Sequence, residues 1–205
     1  GTFAQVTVGS NIDVTTAMTI SGADTSNYTL SQPLLSADII KKGLTITADN
    51  KTKTYGESDP VFTVSYSGFI TGEDETDLGG TLTFDRESGE DKGSYTITPS
   101  GLTSANYDIS FATGTLEITQ KEITVTADSQ TKTYGETDPE LTYQITAGSL
   151  ESGDSLSGEL SRVSGEDVGN YAIEQNTLNN SNYDITYIGA DLSITKKELT
   201  VINGV

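Results

Sequence analysis

Apolar and polar residues alternate along most of the chain, and this period of two predicts β-strands with one face in a core. The clearest examples are Leu44-Thr45-Ile46-Thr47 and Ile123-Thr124-Val125-Thr126, in which aliphatic residues alternate with threonine. Both residue types suit a pleated, half-buried surface. The chain is therefore predicted to be mainly β.

The same pattern predicts further strands between turns that contain Gly, Asn and Asp. Residues 61–69 are predicted to form one long strand, and residues 107–111 and 115–118 a hairpin around the turn at 112–114. Additional short strands are predicted at 6–8, 18–20 and 28–30.

One segment, residues 71–77, lacks alternation. It begins with Thr71 and continues with acidic residues, a pattern that favours the positive end of a short helix. We therefore predict a short helical segment here, with Thr71 as its N-cap.

An eight-residue motif, Lys-Thr-Tyr-Gly-Glu-x-Asp-Pro, occurs at 53–60 and again 79 residues later at 132–139. Two further motifs, Ser-Gly-Glu-Asp-x-Gly-x-Tyr from 88 and Asn-Tyr-Asp-Ile from 106, return 76 residues later. Repetition of this kind indicates tandem copies of one structural unit. The difference of three residues is expected to lie in a loop, where length changes are tolerated.

The repeats divide the chain into four predicted segments. They are the C-terminal part of a preceding repeat (1–40), module 1 (41–120), module 2 (121–196) and the start of a following repeat (197–205). The joins at 118–123 and 194–199 contain no Gly, Pro or Ser. Because flexible linkers are rich in Gly and Ser, we expect stiff joins and an elongated array of modules of ~80 residues.

Composition argues against several functions. The chain has no Cys and no His, which removes thiol chemistry and the commonest general base and metal ligand. Its carboxylates recur in both modules, whereas an enzyme concentrates its chemistry at one site, so we predict no catalytic residues and no enzyme. The net charge of −19 disfavours nucleic acid and anionic membranes as partners.

The repeated carboxylates are weak candidates for Ca²⁺ ligands, since Ca²⁺ takes oxygen donors. They are Glu57, Asp59, Glu90, Asp91, Glu136, Asp138, Glu166 and Asp167. No spacing resembles an EF-hand loop or a glycine-aspartate calcium repeat, so a solvated acidic surface without a cofactor is the main expectation. An internal Lys–Asn isopeptide bond, joining Lys53 to Asn106 or Lys132 to Asn182, is a further hypothesis.

The remaining residues of the motifs are predicted to be structural. They are Tyr55, Gly56, Asp59, Pro60, Tyr95, Tyr107, Tyr134, Gly135, Asp138, Pro139, Tyr171 and Tyr183. We expect the two glycines to allow a turn, and Tyr55 and Tyr134 to pin that turn to the core of their own module. Tyr95 and Tyr171 imitate a tyrosine corner, which makes an immunoglobulin-like sandwich an alternative fold.

Taken together, the octet, the Ser-Gly-Glu-Asp-x-Gly-x-Tyr motif, Asn-Tyr-Asp-Ile and a closing Leu-x-Ile-Thr resemble the MBG domain of the Tyr-Gly-x type. Residues 1–40, with Ser21-Gly22-Ala23-Asp24 and Asn27-Tyr28-Thr29-Leu30, resemble the C-terminal part of a YDG-type repeat. The resemblance implies a β-grasp-like module within large, secreted bacterial surface proteins that are often adhesins.

The expected function is a stalk of such an adhesin, at the cell surface and outside the cell, with neighbouring repeats as partners. The alternative is that the modules bind glycan or mucin-type ligands through exposed tyrosines such as Tyr66 and Tyr143.

Overall fold

The structure, a computed structural model, describes residues 1–200. Over that range the chain forms β-strands and two short 3-10 turns, and no α-helix. The mainly-β prediction is confirmed. No helix among the described residues is long and apolar enough to cross a membrane.

The first 40 residues form a small antiparallel sheet in the order β1-β2-β3. Its strands are β1 (Thr2–Phe3), β2 (Gly9–Thr15) and β3 (Leu35–Ile39). The strands predicted at 6–8, 18–20 and 28–30 are wrong. Ile12 is the only residue of this segment that is buried, so the other short apolar runs have no core that would fix them as strands.

Module 1 consists of two sheets, β6-β4-β9 and β5-β10-β8-β7. The strands are β4 (Lys42–Ala48), β5 (Lys51–Thr54), β6 (Val64–Ser67), β7 (Gly79–Arg86), β8 (Gly93–Thr103), β9 (Tyr107–Ala112) and β10 (Gly114–Thr119). Strand β4 is antiparallel to β6 and parallel to β9, with Leu44 opposite Ile109.

Module 2 repeats this arrangement, with sheets β13-β11-β16 and β12-β17-β15-β14. The strands are β11 (Lys121–Ala127), β12 (Gln130–Thr133), β13 (Tyr143–Ala147), β14 (Ser161–Arg162), β15 (Gly169–Glu174), β16 (Tyr183–Ile188) and β17 (Ala190–Thr195). Two pairs are parallel, β11 with β16 and β12 with β17.

Three local predictions need correction. The hairpin predicted from 107–111 and 115–118 does not form, because β9 and β10 belong to different sheets and the chain changes sheet at Thr113. The long strand at 61–69 shortens to β6, and Val61 is 83% exposed next to Pro60. The helical segment is a single 3-10 turn, Glu75–Asp77, whose N-cap is Asp74 and not Thr71.

Contacts group the chain into two compact units. Unit 1 comprises Gly1–Lys51, Val61–Glu87 and Thr96–Thr115; unit 2 comprises Thr52–Pro60, Ser88–Tyr95 and the chain from Leu116 onward. The octet loop of module 1, and the turn that precedes β8, therefore belong to the same unit as module 2.

Each unit has its core where the alternating residues meet. In unit 1, Leu44 and Ile46 pack with Tyr107. In unit 2, Ile123 and Val125 pack with Leu178 and Tyr183, and a second cluster is formed by Ala127, Ile173 and Leu192. The mainly-β prediction is thus explained by burial, while the β-grasp-like module and its immunoglobulin-like alternative stay predictions.

Replacement of Leu192 by alanine should destabilise unit 2 by about 2–5 kcal/mol, because the side chain is fully buried and a cavity would remain. The neighbouring Asp191→Ala is the matched control, since Asp191 is exposed on the same strand. Urea unfolding followed by tyrosine fluorescence measures both changes. Equal effects of the two substitutions would contradict the assignment of the buried face.

Candidate functional site

The octet forms a closed turn at the end of β5 and of β12. Gly56 and Gly135 have φ values of 85° and 83°, which L side chains rarely adopt, so glycine permits the turn as predicted. In module 1 the Glu57 N–H donates to the Thr54 carbonyl, and the Glu57 carboxylate accepts from the Thr54 N–H. Glu136 makes the same two hydrogen bonds with Thr133.

Behind each turn lies a buried lysine. The Lys53 Nζ is 2.7 Å from Asp59 Oδ1 and 2.5 Å from Glu90 Oε2, and the lysine is only 5% exposed. Burial by itself would lower the pKa of Lys53, but the hydrogen bonds to the two carboxylates outweigh it and raise the pKa. The lysine is therefore a buried ammonium that is paired on two sides.

The equivalent cluster in module 2 contains an arginine as well. The Lys132 Nζ lies 2.6 Å from Asp138 Oδ1 and 2.5 Å from Glu166 Oε2. Arg162 donates to the same two carboxylates, at 2.7 Å and 2.5 Å. Hydrogen bonds from Arg162 and then Lys132 lower the pKa of Asp138 to about 2.

These clusters place six of the eight Ca²⁺ candidates. Asp59, Glu90, Asp138 and Glu166 contact a lysine ammonium, and Glu57 and Glu136 close the octet turns. Among residues 1–200 no group of three or more acidic side chains is arranged to hold a metal ion. The positive charge in these sites is supplied by lysine.

The proposed isopeptide pairing of Lys132 with Asn182 does not occur. Asn182 instead donates through Nδ2 to Asp91 Oδ1 at 2.8 Å and accepts the Lys92 N–H through Oδ1 at 2.9 Å. Lys132 has its two carboxylate partners described above. Asn106 accepts the N–H of Val8, at 3.3 Å.

A second site is the joint, defined as Tyr55, Gly56, Asp91, Lys92 and Gln120 of module 1 with the module 2 residues that they contact. All of it lies within unit 2. Tyr55 was expected to pin its loop to the core of module 1. It packs instead against the module 2 cluster of Ile123, Val125 and Tyr183, with its ring edge-on to that of Tyr183 at 5.5 Å.

One carboxylate holds the two rings together. Asp154 Oδ2 accepts the hydroxyl protons of Tyr55 at 2.9 Å and of Tyr183 at 2.5 Å. The Glu151 N–H in turn donates to the Tyr183 hydroxyl. Burial, followed by the bond to Asp154, raises the pKa of Tyr183 to about 12, so the hydroxyl keeps its proton across the neutral range.

Polar contacts complete the joint around this carboxylate. Gln120, the single residue between β10 and β11, donates to the carbonyls of Ser181 and Tyr183. Lys121 pairs with Glu151 at 2.5 Å. The direct passage between strands, predicted from the sequence, is therefore accompanied by side-chain contacts that the sequence did not reveal.

Glu151 and Asp154 were missed by sequence reasoning, which treated their loop only as a connection. A signal was present: Tyr107 donates to Glu73 in module 1 just as Tyr183 donates to Asp154 in module 2. An acid at the same place in both copies, in a loop that otherwise differs, indicates a specific contact.

The other signature tyrosines have different roles. The Tyr95 and Tyr171 hydroxyls donate to the carbonyls of Asp91 and Asp167, four residues earlier. Tyr134 is half-exposed. Tyr66 and Tyr143 were expected to be exposed; both are partly buried and pack against the cores, because alternation turns them inward.

The strands and the joint define a class: an all-β protein made of tandem modules that meet directly, through side chains of their repeated motifs. Residues 44–117 and 123–193 each match the MBG domain (YGX type), and the chain belongs to that family. The resemblance to MBG domains is confirmed, while the YDG-type assignment of residues 1–40 stays a prediction. No curated protein matches the chain.

Replacement of Tyr55 by phenylalanine should cost about 1–2 kcal/mol, because it removes a hydrogen bond to a carboxylate and keeps the ring contact. Tyr134→Phe is the matched control, since it is the same octet position with a half-exposed ring. Urea unfolding of both variants measures the difference. Equal stabilities of the two variants would contradict the joint.

The carboxylate of Asp138 should contribute to stability above pH 4 and lose its contribution as the pH falls toward 2. The sign follows because the folded-state pKa, about 2, lies below the ordinary value of 3.8. Thermal unfolding between pH 6 and 2 should show Asp138→Asn less stable than the native chain at pH 6, and the gap should narrow on acidification. A gap that is constant with pH would refute the ion pairing.

Proposed function

We propose that this chain is a spacer segment of a bacterial cell-surface adhesin, located outside the cell, whose modules hold a binding region away from the surface. The observation that carries the proposal is the joint. Residues of the repeated motifs, above all Tyr55 and Asn182, are engaged in module-to-module contacts and so serve the array itself.

Membership of the MBG family supports a repeat-built surface protein. The absence of Cys fits a protein whose joints are held by non-covalent contacts. The net charge of −19 would keep such a segment soluble and apart from neighbouring acidic chains. We propose no catalytic role, since the paired carboxylates are engaged with lysine and arginine.

A spacer needs a joint with one orientation. The chain lacks Cys, so two cysteines placed at exposed Ser58, in the octet loop, and Asp184, on β16, can be spin-labelled selectively. Electron–electron resonance should give one narrow distance distribution. The double substitution Tyr55→Phe with Asn182→Ala should broaden it, because it removes bonds on both sides of the joint.

A broad distribution in the native chain would contradict the spacer role. So would saturable binding of the chain to a glycan or mucin array, which would favour the rival function, ligand binding by the modules. Tyr134→Phe, carried on the same labelled chain, is the control that leaves the joint intact.

A further inference from the structure

The repeat places a second copy of the module 1 face at the far end of module 2. We call it the end face: Tyr134, Gly135, Asp167, Val168 and Lys196. These positions correspond, at the repeat offsets, to Tyr55, Gly56, Asp91, Lys92 and Gln120 of the joint. Each position of the joint face of module 1 therefore has a counterpart here.

The end face already has the backbone geometry of the filled joint. The Tyr134 N–H donates to the Thr195 carbonyl at 2.9 Å, just as Tyr55 donates to Thr119 at 2.9 Å. The Tyr171 hydroxyl holds the Asp167 carbonyl as Tyr95 holds Asp91. The face is thus formed before any module covers it, which lowers the entropy cost of docking.

What differs is coverage. The Tyr134 side chain is 48% exposed and Val168 50%, whereas Tyr55 is packed against the core of module 2. A cavity of about 430 Å³ opens beside Tyr134. It is lined by Tyr134, Asp167, Val168, Lys196, Lys197 and Leu199.

Every lining residue has a counterpart at the joint. Lys197 and Leu199 correspond to Lys121 and Ile123, which lie beside Glu151 and Tyr183 in the filled joint. The cavity therefore occupies the place where the Asn-Tyr pair and the acidic loop of a next module would lie. Continuity with a joint formed within this chain identifies the occupant.

We propose that the end face is the docking surface for a further MBG-type module joined directly after Lys196. The incoming asparagine, equivalent to Asn182, accepts the N–H of Val168 and donates to the Asp167 carboxylate. The incoming acidic loop accepts the Tyr134 hydroxyl proton, as Asp154 accepts that of Tyr55.

The two side-chain differences between the faces are compatible with this contact. Val168 replaces Lys92, but the bond to Asn182 uses the backbone N–H, which every residue except proline supplies. Lys196 replaces Gln120, whose Nε2 donates to two carbonyls, and an ammonium also donates to carbonyls.

The inference rests on the proposed spacer role for its biological meaning, but its test measures docking alone. The complete chain is extended by inserting a second copy of residues 121–196 after Lys196, so that the copy begins where Lys197 stood. Amide hydrogen exchange is then followed by NMR at Val168. The Lys92 amide, which is bonded to Asn182 in the native joint, is the internal reference for a folded joint.

We expect exchange at Val168 to slow about tenfold on extension, in line with the net value of one hydrogen bond. The slowing should vanish when the asparagine of the inserted copy, equivalent to Asn182, is replaced by alanine, while Lys92 stays protected. Unchanged exchange at Val168 with Lys92 protected would overturn the proposal.

Slowing in the unextended chain that grows with protein concentration would also overturn it, because the occupant would then be a second copy in trans. Failure of the spacer role leaves a different trace. Glycan binding, or a broad label distance at the native joint, can occur whether or not Val168 becomes protected.

Discussion

The carboxylate of Asp154 is the contact on which the joint depends, because it accepts hydroxyl protons from two modules at once. A carboxylate in a partly buried site must be hydrogen-bonded to offset its desolvation. The two tyrosines meet that need and also bring their rings edge to edge, at 5.5 Å. The polar tip and the apolar body of tyrosine thereby serve one contact.

The buried lysines solve a similar problem inside each module. A buried ammonium is costly unless it is paired, and Lys53 and Lys132 each contact two carboxylates. These pairs join the octet loop to the turn before β8 or β15. Since those same segments carry the joint residues Tyr55 and Asp91, the ion pairs fix the position of the face that meets the next module.

Sequence reasoning succeeded where the information is local. Alternation identified the buried residues Leu44, Ile46, Ile123 and Val125, and glycine in the octet identified a turn with positive φ. It failed on the hairpin at 107–118, because alternation is the same whether two successive strands pair with each other or enter different sheets. It failed on Tyr55 for a related reason: an apolar ring declares that it will be buried and does not declare in which module.

The sequence alone determined the β class, the repeat, the family and the set of residues that recur. The tertiary structure decided the partners of those residues. The eight acids that could have been metal ligands are sorted by distance into lysine partners, turn closures and joint contacts, and such distances follow from strand pairing across tens of residues. The parallel pairing of β11 with β16 brings Asn182 and Tyr183 to the start of module 2, beside the turn of module 1, and no local pattern encodes that meeting.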